Sequence, residues 1–453
     1  MKVLKFGGSS VRDAKRIEEL LKFITPGETQ LVVLSAVSGV TDMLERLNIL
    51  IKQQRNGDGL QFIYEVSRLF EKITFDLFSE NPLSRAFANV EIQKMKNFLL
   101  DTCHRAYYDQ RIDSEVLAVG EQLTTKIFYE LLKSRGIEVE LLYSPDFIRL
   151  GNDGDPDVDF LSNKLRKVFD DRYDARVVLM QGFICSDATG ALSNLKRGGS
   201  DYTASLAGAA LGVDEIQIWT DMDGMHNNDP RFVDNTSPVE SLSYNEAAEL
   251  AYFGAKILHP QTIYPAMTAG IPVRIKNTMN PAAQGTLVES RSPSNGVKAV
   301  AAKNGIVQIK IRSGRMLMAY GFLSKLFRIF EKNKTPIDML TSSEVSVSLT
   351  IDDTSNLQLI LDELRQYGEL EVYMNQVIIC IVGDFLKNHY GRALSVLDSL
   401  KEVPVSMISY GGSNNSISIL VDQKDKLRAL NNLQEGLFQT EEIALDINEI
   451  LMN

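Results

Sequence analysis

Three short stretches of the chain hold residues whose types and spacing suit chemistry on anions. In KVLKFGGSSV (2–11), Lys5 sits inside an apolar strand two residues before Gly7-Gly8, where a charge has no packing reason to be. A strand, a glycine turn and a helix opened by Ser9-Ser10 would present free backbone N–H groups, and glycine lets a phosphate approach the backbone closely. A GGSS turn alone is more often a plain turn and cap. The buried lysine raises its standing, because it needs a partner that a phosphate oxygen could supply. In KRGGSDYTASLAGAALG (196–212), Gly198-Gly199 precede Ser200-Asp201, and Arg197 adds a fork-shaped cation suited to carboxylate or phosphate. Here too a cap and close helix–sheet packing explain part of the pattern. In IWTDMDGMHNNDPRFV (218–233), a strand ends at Thr220 and a polar loop follows with Asp221, Asp223, Gly224, Asp229 and Pro230. Such loops at strand carboxyl ends are where α/β sheets bind ligands. Arg231 in this loop and Lys256 in YFGAKILHP make it a candidate nucleotide site. His226 is a weak candidate for a general base, since the chain's four histidines show no metal-ligand spacing. The G-x-x-x-x-G-K-[ST] phosphate loop does not occur. Two glycine turns, each with a basic residue nearby, point to two anionic ligands brought together, and no protein-ligated metal is expected.

These turns need a rigid frame. Apolar, β-rich runs at KVLKF, QLVVLSAV (30–37), ARVVLMQGF (175–183), EIQIWTD (215–221) and PVRIKN (272–277) alternate with helical segments. That alternation predicts an α/β fold, a mostly parallel sheet sandwiched by helices. Residues 59–112 interrupt it with a long helical stretch, read as an insertion or subdomain or as part of the outer helix layer. RSPSNGVKA (291–299) shifts to Ser, Pro, Gly and Asn and marks a domain boundary. Beyond it the chain repeats itself. The helix starts Gly321 and Gly391, the prolines Pro336 and Pro404, and the closing aspartates Asp352 and Asp422 recur at spacings of 68–70 residues. Each unit reads strand–helix–strand–strand–helix, a small split βαβ module. A strand exchanged between the modules, or one supplied by the tail DINEI, is left open.

The chain has 453 residues, enough for two or three domains. Its net charge of −11 argues against a general nucleic-acid surface. No apolar run approaches the roughly 20 residues of a membrane span, and no secretory signal is read at the start. Cys103, Cys185 and Cys380 are odd in number and far apart, which suggests buried thiols in a reducing cytoplasm.

KFGGSSV, LSAVSGVTD (34–42), AVGEQLTT (118–125), KRGGSDYTA, WTDMDGMHNNDPR and FGAKILHP occur in the order found in aspartate kinases of the amino-acid kinase family. SGRMLMAYGFLSKLF and DMLTSSEVSVSLTID resemble the paired ACT regulatory domains of the lysine-sensitive, monofunctional type. The resemblance covers nearly the whole chain, least well at 59–112. It implies a catalytic domain over 1–292, ferredoxin-like βαββαβ ACT modules over 300–375 and 376–453, and phosphorylation of the L-aspartate side-chain carboxylate by ATP with Mg2+. That reaction opens the biosynthesis of lysine, threonine and methionine. By match, Lys5 with Phe6, Gly7 and Gly8 holds the transferring phosphoryl group, and Asp201 organises the site around Lys5 and the metal. Ser35, Thr41, Glu121, Phe183, Arg197, Gly198 and Ser200 surround the amino acid. Arg197 clamps its α-carboxylate, and Glu121 faces the ammonium or an intervening hydroxyl. Thr220, Asp221, His226, Arg231, Lys256 and Ile257 fall on nucleotide positions. His226 departs from the family's usual Tyr and loses a hydroxyl, while Ser9 replaces a frequent Thr.

In the regulatory half, Met316, Gly321, Phe322, Leu323, Asp338, Ser343 and Glu344 match an effector site shared across a homodimer or higher oligomer. Helix N–H groups there would meet the effector's carboxylate, and Asp338 and Glu344 its ammonium groups. Met318 and Ala319 stand where the lysine-sensitive pattern often has His and Ser, so one polar contact is missing. Lysine is the expected effector and threonine the runner-up. The competing readings are another amino-acid kinase, acting on glutamate, carbamate or a nucleotide, and a catalytically silent amino-acid sensor. Glu121 and the twin modules argue against the first. Lys5, Arg197, Asp201 and Arg231 argue against the second. A fused homoserine dehydrogenase is not expected at this length.

Overall fold

Residues of the apolar runs form strands in the computed structural model, which describes the chain except Pro26, Ala106, 171–175, 196–197, 255–259, 293–295, 318–319, 386–391 and 440–453. Contacts gather it into two units. Met1–Met225 join Ile257–Arg291, and His226–Lys256 join Ser292–Asn453.

The first unit is built on β1 (Lys2–Phe6), β2 (Gln30–Leu34), β3 (Val139–Leu141), β4 (Val177–Gln181), β7 (Glu215–Thr220), β9 (Val273–Asn277) and β10 (Thr286–Glu289), with a hairpin of β5 (Ile184–Ser186) and β6 (Leu192–Asn194). The order is β3-β4-β2-β1-β7-β9-β10. All these neighbours run parallel except β10, antiparallel to β9. β2 and β4 are buried at every residue, as parallel strands covered on both faces should be. Register sets Lys5 between Val33 and Ile218 on the neighbouring strands.

Helices α1 (Ala14–Glu19), α2 (Val40–Lys52), α3 (Asn56–Leu77), α4 (Pro82–Cys103), α5 (Gln110–Ser134), α6 (Val158–Asp170), α7 (Gly199–Leu211) and α9 (Pro260–Ala269) complete this unit. The stretch 59–112 falls on α3, α4 and the start of α5. Ile63, Phe70, Phe78 and Leu99 belong to the same continuous core as Phe6 and Leu34, so these helices are part of the layer over the sheet.

One local expectation is corrected. Ser9-Ser10 do not open a helix. A 3-10 turn spans Gly8–Val11, and Asp13 caps α1 by accepting from the Arg16 N–H at 3.0 Å. Ser10 is drawn inward instead, its hydroxyl 2.6 Å from that of Thr278.

The second unit holds β8 (Ser241–Ser243), α8 (Tyr244–Tyr252) and a six-stranded antiparallel sheet. Its strands are β11 (Val297–Arg312), β12 (Leu340–Ser342), β13 (Ser346–Ile351), β14 (Glu369–Gly383), β15 (Val405–Tyr410) and β16 (Ser416–Asp422), ordered β12-β13-β11-β14-β16-β15. α10 (Phe322–Lys332) and α11 (Leu357–Leu364) cover one core, centred on Ile309, Leu326 and Leu349. α12 (Arg392–Ser399) and α13 (Lys426–Gln434) cover the other, centred on Ile379, Val396 and Ile419.

β11 and β14 pair along nearly their whole length, and each serves both modules. Val297–Lys303 pair with Ile378–Gly383 beside the second core, whereas Val307–Arg312 pair with β13 in the first. The second module thus takes its fourth strand from ahead of the first. A cut into 300–375 and 376–453 divides β14 and leaves Val300–Lys303 of β11 with the first module, although they pair beside the second core. The tail segment DINEI lies outside the described residues.

Residues 226–256, read in the sequence as part of a catalytic span 1–292, pack in this second unit. Lys298 of β11 meets Glu246 of α8 at 2.8 Å with both side chains buried. The Asn228 amide donates to the Leu430 carbonyl at 3.1 Å. Ser243 and Glu246 form a reciprocal capping box at the start of α8. Among the described residues no helix is long and apolar enough to cross a membrane.

Candidate active site

The carboxyl ends of β1, β2 and β4 and the first turn of α7 surround a cavity of about 360 Å3. It is lined by Lys5, Gly8, Ser35, Thr41, Glu121, Phe183, Gly198, Ser200 and Asp201. These nine come from five separate stretches of the sequence. Gly8 lets the first loop press on the second, since a Cβ there would lie 3.0 Å from the Ala36 carbonyl oxygen. Gly198 starts α7 from a left-handed conformation, φ +78°, that a larger residue would resist. The first turn of α7 then projects Ser200 and Asp201 towards the strand ends.

Lys5 Nζ lies 2.7 Å from Asp201 Oδ1, with the two side chains 11% and 14% exposed. The charge that looked unpartnered in the strand has a carboxylate beside it and an opening to the cavity. Phe6 turns its ring into the core, stacked on Trp219, and Gly7 donates its N–H to the Trp219 carbonyl at 3.2 Å.

Glu121 is fully buried on α5. Its Oε1 accepts from the Ser200 hydroxyl at 2.8 Å and its Oε2 from the Phe183 N–H at 2.5 Å. Burial pushes its carboxyl up to about 7, against the opposing pull of these donors and of Lys5. The hydroxyl beside this carboxylate is therefore that of Ser200.

Several supporting residues were not singled out in the sequence. Gly182 allows β4 to meet α7, because a Cβ there would fall 2.4 Å from Ser200 Cβ. Gln181 takes the Ser144 N–H on its side-chain oxygen at 2.9 Å and donates to the Thr125 hydroxyl at 3.0 Å, one turn along α5 from Glu121. The Thr124 hydroxyl accepts the Val37 N–H at 3.3 Å and steadies the second loop. Ser38 and Glu45 also line the cavity. The paired threonines of AVGEQLTT and the glycine of MQGF were the available signals, but only the folded chain shows what they touch.

Thr220 and Asp221 end β7 in the first unit, with the Thr220 hydroxyl donating to Asp221 at 3.0 Å. His226 and Arg231 belong to the second unit. His226 Nδ1 is 3.0 Å from the Thr236 hydroxyl, and Arg231 grips Asp229 through two nitrogens at 2.9 and 2.6 Å. Arg197, Lys256 and Ile257 lie outside the described residues, as do Met318 and Ala319. Among the described residues no group of three or more His, Cys, Asp or Glu is placed to hold a metal ion.

The effector candidates fall on three places in the first module. Met316 ends a 3-10 turn and packs against the core, while Gly321 (φ +75°), Phe322 and Leu323 start α10. Ser343 and Glu344 lie in the turn between β12 and β13, where the Ser343 and Ser346 hydroxyls are 2.8 Å apart. Asp338 is buried against Lys303 and Tyr252.

A parallel sheet carrying a strand lysine and two glycine turns, in a chain that ends in paired split-βαβ modules, defines an amino acid kinase with regulatory ACT domains. Residues 1–277 match the amino acid kinase family and 379–437 the ACT domain. The chain is 30% identical to lysine-sensitive aspartokinase 3 of Escherichia coli K12, over 96% of this chain and 99% of that protein. It is 31% identical to the chloroplastic aspartokinase 1 of Arabidopsis thaliana, over 99% and 82% of the two. Its structure resembles E. coli aspartokinase III in complex with aspartate and ADP, with a TM-score of 0.82 at 29% identity over 97% and 100% of the two chains. The lysine and aspartate complex of that enzyme gives 0.77 at the same identity, over 97% and 99%. The chain belongs to the aspartokinase family.

Proposed function

We propose that this chain transfers the γ-phosphoryl group of ATP to the side-chain carboxylate of L-aspartate, giving 4-phospho-L-aspartate and ADP, as the first step of aspartate-family amino-acid biosynthesis. The observation that carries the reading is the convergence of Lys5, Asp201, Ser200 and Glu121 on one small cavity at the strand ends. A carboxylate nucleophile is already ionised near neutrality, its ordinary pKa being about 4, so no general base is needed. One carboxylate oxygen bonds to the γ-phosphorus, the bond to the bridging oxygen breaks, and its electron pair leaves with ADP. Catalysis then consists of positioning and charge neutralisation.

Lys5 faces the charge that spreads over the phosphoryl oxygens, and Gly8 supplies the close backbone. Asp201 holds Lys5 in place. Ser35, Thr41, Phe183 and Gly198 shape the amino-acid pocket, Arg197 takes the α-carboxylate, and Glu121 with Ser200 takes the ammonium. Thr220, Asp221, His226, Arg231, Lys256 and Ile257 serve the nucleotide. Magnesium, bound mainly by phosphate oxygens and water, would neutralise phosphate charge, and Asp201 is the carboxylate that would face it. The catalytic span is 1–292. The ACT modules sense an amino acid, lysine foremost, through Met316, Gly321, Phe322, Leu323, Asp338, Ser343 and Glu344 in a homodimer.

ADP release from MgATP with L-aspartate or L-glutamate, with and without lysine, tests this reading. Turnover with aspartate alone, reduced by lysine, is the expected outcome. Equal turnover of glutamate would remove the substrate assignment.

A further inference from the structure

Lys303, on β11, takes no part in the steps above. Its ammonium lies 2.8 Å from Asp338 Oδ1, 2.8 Å from Asp352 Oδ2 and 4.3 Å from the centre of the Tyr252 ring. Two carboxylates and a π face form a complete shell for a primary ammonium. The Tyr252 hydroxyl, at the last residue of α8, donates to the same Asp338 oxygen at 2.8 Å. The Asp338 side chain has no exposed surface, and its second oxygen has no hydrogen-bond partner. A buried carboxylate oxygen without a donor is costly and marks a place where another donor would be welcome. The resident cation and the ammonium of an amino-acid effector are the same chemical group.

Resting on the assignment of Asp338 to the effector site, we propose that Lys303 is a built-in competitor for the effector's ammonium and sets the concentration at which the effector binds. The arriving ammonium takes the place of Lys303 at Asp338 and also serves the unpartnered oxygen. Lys303 moves wholly onto Asp352, whose side chain is 37% exposed. Tyr252 then loses the cation over its ring, so the exchange reaches the end of α8. Lys303 is thereby a specificity-determining residue of the effector site. Because it holds Asp338 with one ammonium, a ligand lacking a free ammonium gains nothing there.

The experiment uses the full chain and L-lysine and L-threonine as probes, with binding followed by calorimetry and inhibition by ADP release. Lys303→Met keeps the side-chain stem but removes the competitor, and it should bind its effector about tenfold more tightly than the wild type, a difference well resolved by calorimetry. The half-inhibitory concentration should fall in step. Lys303→Arg keeps a cation and should keep the wild-type threshold. Should Lys303→Met show no cooperative melting transition, Lys303→Gln carries the same expectation. A folded neutral variant that binds no more tightly than the wild type overturns the proposal and leaves the effector assignment standing. If wild type and variants turn over aspartate yet bind neither amino acid, the effector assignment fails, and the proposal with it.

Discussion

Lys5 Nζ and Asp201 Oδ1 lie 2.7 Å apart, joining the end of β1 to the first turn of α7 across 196 residues of chain. A partly buried pair of this kind keeps a mobile lysine at one place, which is what stabilising a developing phosphoryl charge requires.

The pair therefore predicts a particular kinetic pattern. Lys5→Met should lower kcat by roughly 10²–10³, the scale for losing one preorganised charge-stabilising donor, and change the KM for aspartate far less. Asp201→Asn should act in the same direction, because Lys5 loses the charge that holds it. Steady-state kinetics on folded variants decides the matter. A Lys5→Met enzyme that keeps most of its kcat would take Lys5 out of the chemistry.

Glu121 predicts a pH dependence. Its folded value, about 7, lies above the ordinary 4.5, so between those values the folded chain holds a proton that the unfolded chain has lost. Stability contributed by the neutral form is present below about 4.5 and is lost as pH rises through about 7. Glu121→Gln removes that loss. The midpoint of its thermal unfolding should gain on the wild type steadily from pH 5 to pH 7 and no further above it. The ionised form is the one that attracts an ammonium, so kcat/KM for aspartate should rise through pH 7 in the wild type. That limb should be missing in Glu121→Gln, and an identical rise in both proteins would assign it to another group.

Gly182 predicts a steric effect beside the Glu121 carboxyl. An alanine Cβ would lie 2.4 Å from Ser200 Cβ and 2.6 Å from its Cα, so α7 or the end of β4 must shift. Overpacking of this kind costs typically 1–3 kcal/mol. Gly182→Ala should lower stability on that scale in urea unfolding. It should also raise the KM for aspartate, because Ser200 is pressed out of line with Glu121. A variant with wild-type stability and KM would show that the two segments part without consequence.

Much of this architecture was legible in the residues themselves. The runs KVLKF and QLVVL became strands β1 and β2 because Val and Leu suit strands buried on both faces, and EIQIWT became β7 through β-branched and aromatic residues that alternate with polar ones. The glycine pairs marked the two turns, since backbone freedom and close approach are local properties of glycine. The repeat at 68–70 residues announced two modules, because each copy must bury the same helix faces on the same kind of sheet.

Other features depend on partners far along the chain. The Ser9-Ser10 cap failed because Thr278, folded alongside, offers the Ser10 hydroxyl a partner that local sequence cannot show. The residues left open whether the modules exchange a strand, and the first half of β11 completes the sheet of the second module. Which strands lie beside it is a matter of how distant segments pack, and the strand's own composition does not show that. Segment 226–256 lies within the stretch that matches the amino acid kinase family, yet it packs in the second unit, where Lys298 and Glu246 form a buried pair. The residue types at Lys5, Glu121, Ser200 and Asp201 and the turns that carry them were set by sequence. Their convergence, the raised carboxyl of Glu121 and the pairing of Asp338 with Lys303 were decided by tertiary structure, because distance and burial, on which electrostatics depend, exist only once the chain is folded.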